Sequence, residues 1–186
     1  MYQLKREDDT EKNYHHMVYT AKRILEDDID VIAGLANLSA VINAYMDRIN
    51  WVGFYIMKNS ELVLGPFQGL PACIRIPIGK GVCGTAVSER KIQIVDDVSM
   101  FPGHIACDSA SNSEIVIPIY RNNEVFGVLD IDSPELNRFG EMESKYLSEI
   151  CGILEKRMES GINENIFEFV DNPRTEDCFT CGFANS

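Results

Sequence analysis

After Asn50 the chain breaks into short runs, WVGFYIM, ELVLGPF, CIRIPI, KIQIV, SEIVIPI and EVFGVLDID, each rich in aromatic or β-branched residues and bounded by turn residues. This texture predicts six strands. Asn59-Ser60 and Asn122-Asn123 stand where tight hairpin turns are needed, so at least the flanking pairs are expected to be antiparallel. Helical patterns enclose the strands. Val31, Leu35, Leu38, Val41, Ile42 and Tyr45 form a stripe over residues 31 to 46, opened by a cap at Asp28 or Asp30. An earlier helix is read over residues 11 to 26, with Tyr14, Met17, Val18, Ala21 and Ile24 or Leu25 on one face. A closing helix from Glu141 to Met158 carries Met142, Tyr146, Ile150, Ile153 and Leu154 on one face. GKGVCGTAVSER, between the third and fourth strands, begins with glycines and continues as a short helix ending near Arg90.

Helices before and after a mainly antiparallel six-stranded sheet predict a single α+β domain. It is placed at residues 1–160, with its ordered core from about residue 10. Residues 161–186 read as a C-terminal extension holding a C-x-x-C pair, Cys178 and Cys181.

Charge narrows the partners. Asp and Glu number 29 against 17 Lys and Arg, a formal charge of -12, which disfavours phosphate backbones and anionic lipid surfaces. The opening MYQLKREDDTEKNYHH lacks an apolar signal core, and no later stretch approaches the roughly 18 apolar residues of a membrane span. A cytoplasmic location is expected, and there the six cysteines should persist as thiols, metal ligands or transient redox groups. Their spacings do not suggest zinc, since one C-x-x-C supplies half a site. Neither metal nor cofactor is expected.

Alternation along the last strand places Phe126, Val128, Asp130 and Asp132 on one face and Gly127, Leu129 and Ile131 on the other. Glu114, on the strand that should pair with it, brings a third carboxylate close. Such clusters need a cation, a metal or a shared proton; an isolated D-x-D would read as a solvated strand end, but these flanks are apolar. Cys107 lies in the loop FPGHIACD beside His104, where a thiol is either accessible and activated or a small buried hydrophobe. Cys83 sits at a glycine-rich helix start, which could stabilise a substrate carboxylate, depress the thiol pKa, or merely make a tight turn. Trp51 and Tyr55, with Gly53 between them, point the same way along a strand, as an aromatic wall or as plain core.

Read in order, NWVGFY, LVLGPFQG, ACIRI, GKGVCGTA, IVDDV, FPGHIACD, SEIVIPI and GVLDIDSP closely resemble the free methionine-R-sulfoxide reductases of the GAF superfamily over residues 31 to 156. The resemblance implies a GAF-like fold and reduction of free methionine-R-sulfoxide by Cys107, with Cys73 and Cys83 as candidate resolving thiols. It also implies that Trp51 and Tyr55 enclose the methyl-sulfoxide end of the substrate and that Glu114, Asp130 and Asp132 meet its polar groups. Attack on the sulfoxide sulfur needs a thiolate and departure of the oxygen needs a proton, for which Asp132 is favoured. A sulfenic acid on Cys107 would then condense to a disulfide that thioredoxin reduces. The resemblance allows a homodimer. The competing readings are a non-catalytic GAF-type sensor of a small ligand and a redox switch.

Overall fold

The computed structural model describes residues 4–26, 30–103 and 110–160. Helices α1 (Thr10–Glu26) and α2 (Val31–Tyr45) precede strands β1 (Trp51–Lys58), β2 (Glu61–Gln68) and β3 (Arg75–Pro77). Helix α3 (Gly81–Glu89), strands β4 (Gln93–Val95), β5 (Ser113–Arg121) and β6 (Glu124–Ser133), and helix α4 (Glu141–Glu159) complete the order. The strands form one antiparallel six-stranded sheet in the order β3-β2-β1-β6-β5-β4. The α+β expectation holds.

Both predicted hairpin turns close as expected. Asn59 and Ser60 have φ of 48° and 65°, Asn122 and Asn123 of 50° and 65°, the paired left-handed conformations that match the twist of a two-residue hairpin. Asp30 caps α2, its carboxylate accepting from the Ala33 N–H at 3.0 Å; Asp28 lies outside the described residues. The third and fourth strands are shorter than their apolar runs, with three residues each. In the third, Cys73 leaves the ladder because its carbonyl is turned to a side chain of β1.

Each face of the sheet carries a cluster of buried apolar side chains. Val52, Phe54, Ile115, Ile117, Ile119, Leu129 and Ile131 pack against α1, α2 and α4. The opposite face carries Trp51, Tyr55, Leu62, Val116 and Val128 beneath Val82, Cys83, Ala86 and Val87 of α3. Two expectations about facing are corrected. Phe126 joins the helix-covered core instead of the carboxylate face, because Ile119 pairs with Gly127 and Tyr120 with Val125, so that Phe126 is the extra residue of a bulge. Met142 is exposed rather than buried, because the inward position in the first turn of α4 belongs to Glu143.

Glu143 belongs to a polar knot joining the helical layer. Arg138 donates from Nη1 to Glu143 Oε1 at 2.8 Å, from Nη2 to the Tyr14 hydroxyl at 3.1 Å and from Nε to the Asp47 carbonyl at 3.1 Å. The Tyr14 hydroxyl in turn donates to Glu143 Oε1 at 2.9 Å. Burial opposes the Glu143 charge, yet the bonds from Arg138, backbone N–H groups and Tyr14 prevail and hold its carboxyl below the usual range. Such a group stabilises the fold above its unfolded pKa, and the contribution disappears as pH falls through the folded value. Arg138→Leu should therefore lower unfolding free energy at pH 7 by on the order of 3 kcal/mol, read from urea midpoints, because it leaves a largely buried carboxylate without its cation. Glu143→Gln should show a smaller loss between pH 7 and pH 3 than the wild type. An acid loss of equal size in both would exclude Glu143 as the titrating group.

Candidate active site

The site lies on the sheet face covered by α3. Strand pairing puts Glu114 of β5 opposite Asp132 of β6, and Asp132 opposite Trp51 of β1. One register step along, Asp130 stands opposite Gly53. The three expected carboxylates and both expected aromatics therefore occupy three successive rows of the same face, with Tyr55 opposite Val128 in the third. Glu114 and Asp130 are each 6% exposed, and Asp132 is half-buried.

Cys83, at the third position of α3, points down onto these acids. Its sulfur lies 3.9 Å from Glu114 Oε1, and Cys83, Glu114 and Asp130 bring one donor atom each within 4.8 Å of one another. One thiol and two carboxyls at this spacing are also a donor set suited to a divalent cation. Burial raises the Cys83 thiol, and Asp130 and Glu114 raise it further, so the thiol stays protonated. The helix start thus does not activate Cys83, because desolvation and neighbouring acids outweigh the helix dipole. Burial likewise lifts Glu114 well above the carboxylate range, with Asp130 and Asp132 adding repulsion. Burial pushes Asp130 up to about 6, with hydrogen bonds from Cys83 and Glu114 holding it down. At neutral pH Glu114 keeps the proton and Asp130 carries the charge. Asp130 Oδ1 is buried without a hydrogen-bond partner among the described residues, although a buried carboxylate oxygen ordinarily has one.

Beside these acids on the same sheet face stands an aromatic stack. The Trp51 ring lies 5.9 Å from Tyr55 and 5.4 Å from Phe67, tilted by 26° and 14°. Gly53 makes room for it, since a Cβ there would sit 2.5 Å from the indole Cη2 atom and 2.4 Å from Phe67 Cβ. Phe67 is the member that sequence reasoning missed. Counting back from the Asn59-Ser60 turn puts Pro66 opposite Gly53, but a register shift between Gly53 and Tyr55 moves Phe67 there.

Of the remaining expected residues, Cys73 is disulfide-bonded, while Cys83 and Cys151 are free thiols. Cys151 lies in the helix-covered core. Cys107, His104, Cys178 and Cys181 lie outside the described residues. Among those described, no helix is long and apolar enough to cross a membrane.

The family model for the GAF domain matches residues 37–156, which contain all of this machinery. Protein YtsP of Bacillus subtilis is 51% identical over 156 residues, 83% of this chain and 96% of that protein. The free methionine-R-sulfoxide reductase of Escherichia coli is 49% identical over 133 residues, covering 72% of this chain and 81% of its own length. A structure described as the free methionine-R-sulfoxide reductase of Neisseria meningitidis in complex with its substrate superposes with a TM-score of 0.82 at 42% identity, covering 85% of this chain and 96% of that one. With the family model spanning the strands and the helix that build the acidic floor, and identities this high over most of the chain, the chain belongs to the GAF domain family and, within it, to the free methionine-R-sulfoxide reductases.

Proposed function

We propose that the chain reduces free L-methionine-R-sulfoxide to L-methionine. The observation that carries this reading is the buried acid group in which Asp130 Oδ1 has no hydrogen-bond partner among the described residues, one row from members of a stacked aromatic wall. An ammonium supplies the donors that the acid group lacks, and the aromatic wall suits a methyl-sulfur end. The relatives named free methionine-R-sulfoxide reductase, in Escherichia coli and in Saccharomyces cerevisiae at 40% identity, support the same substrate.

Cys107 is the attacking thiol in this reading. Its thiolate sulfur bonds to the sulfoxide sulfur as one proton reaches the sulfoxide oxygen; the hydroxyl then passes from the methionine sulfur to the Cys107 sulfur as the sulfur–sulfur bond breaks, so that methionine leaves and Cys107 is a sulfenic acid. Asp132, half-buried at the edge of the acid group, supplies a proton, while Asp130 holds the ammonium. Cys73 resolves the sulfenic acid. Its place in a disulfide supports that choice over Cys83, whose buried and protonated thiol is a poor nucleophile. Thioredoxin then reduces the disulfide, which suits a cytoplasmic protein working as a monomer or a homodimer. Residues 161–186 are a separate extension not needed for the chemical step.

A thioredoxin-coupled assay with the separated R and S epimers tests the proposal on the full chain and on a chain ending at Ser160. Turnover of the R epimer alone is expected, with equal single-turnover release of methionine by both chains. Tight binding without turnover would favour a sensor instead, and one oxidising event per chain without cycling would favour a redox switch.

A further inference from the structure

Residues 69–74, between β2 and β3, include no helix or strand position, yet they carry the disulfide-bonded Cys73. Burial of large side chains does not fix this segment, since Leu70 and Ile74 are 64% and 69% exposed. Backbone anchors do. The segment leaves β2 at Gly69, whose φ is 134° and where a Cβ would meet Trp51 Cδ1 at 2.6 Å and the Asn50 carbonyl at 2.8 Å. Trp51 Nε1 then donates to the Leu70 carbonyl at 3.1 Å, and the Tyr55 hydroxyl donates to the Cys73 carbonyl at 3.1 Å. Finally the Leu64 N–H donates to the Ile74 carbonyl at 2.9 Å. The cysteine segment thus hangs from two stacked, buried side chains of β1.

We infer that the Tyr55 hydroxyl is a positioning group for Cys73, holding the residue where its thiol condenses with the sulfenic acid of the attacking cysteine. This rests on the reductase reading proposed above. In the condensation the Cys73 sulfur bonds to the sulfenic sulfur, the sulfur–oxygen bond breaks, and the hydroxyl leaves as water with the thiol proton. The rate of such an intramolecular step depends on how narrowly the partners are held. Burial and the nearby acids, Asp130 foremost, raise the Tyr55 phenol, so it remains a donor throughout the working pH range. A buried tyrosine hydroxyl needs some partner; here the partner is the backbone of the redox cysteine itself.

Tyr55→Phe keeps the ring and removes the anchor. In single-turnover experiments on the full chain, methionine release and sulfenic acid lifetime are followed together, the second by a sulfenate-trapping reagent and mass spectrometry. The lifetime relative to methionine release should lengthen about fivefold to tenfold, the effect of one hydrogen bond. Gly69→Ala, which cannot hold that φ beside Trp51, should lengthen it as well. Hydrogen peroxide provides a second route to the sulfenic acid, without methionine sulfoxide, and the same lengthening is expected there. Absence of methionine release in the wild type would reject the reductase reading, and the peroxide arm would still decide the role of Tyr55. A wild-type sulfenic acid lifetime in Tyr55→Phe by both routes overturns the inference, even if the variant unfolds at lower denaturant. The only tryptophan of the chain is Trp51, so its fluorescence should change when Cys73 moves between thiol and disulfide.

Discussion

Cys107→Ser is expected to abolish both turnover and the single-turnover release of methionine, by at least about a thousandfold. A serine hydroxyl is far less ionised at neutral pH than a thiol, and the step begins with attack by an anion on sulfur. Replacing both Cys73 and Cys83 has a different signature: one equivalent of methionine is released and sulfenic acid remains on Cys107. The single replacements divide the labour. Cys73→Ser should stop cycling after one turnover, because the remaining pocket thiol, Cys83, is buried against two acids and held in its protonated form. Continued cycling in Cys73→Ser would move the resolving role to Cys83. One equivalent of methionine from Cys107→Ser would show that another thiol attacks.

The strands and hairpin turns were legible because their signals are local: alternation, β-branched runs and two Asn-led turns whose left-handed conformations the sheet uses. Local alternation also placed Asp130 and Asp132 on one face, and the pairing of β5 with β6 implied by the Asn122-Asn123 turn brought Glu114 to them. What escaped depends on register. The bulge that turns Phe126 toward the helices and the shift that sets Phe67 opposite Gly53 each add a residue to one strand, which no composition signals. The protonation of Cys83 was equally hidden, because a helix start predicts the opposite shift until burial and the acids below it are known. The Arg138, Glu143 and Tyr14 knot joins residues far apart in sequence, so nothing in any one segment announces it.

The largest effect of the substrate's own charge should come from removing its ammonium. N-acetyl-methionine-R-sulfoxide keeps the sulfoxide and the carboxylate but leaves buried Asp130 with a charge and no cation. Leaving one partner of a buried charge pair alone costs on the order of 3 to 5 kcal/mol, a factor of hundreds to thousands in binding. The acetylated compound should therefore be a very poor substrate, and Asp130→Asn should raise KM for the free amino acid with a smaller change in the chemical rate. Asp132→Asn should do the reverse, slowing methionine release in single turnovers if Asp132 supplies the proton. The pH dependence carries the sign of the same assignment. Asp130 is pushed up to about 6, so the anion that holds the ammonium is present above that value and lost as pH falls through it. In the wild type kcat/KM should decline on the acid side with an apparent pKa near 6, and Asp130→Asn should lack that limb. Comparable rates on free and acetylated substrate would remove the ammonium site, whereas an unchanged acid limb in Asp130→Asn would assign the titration to another group.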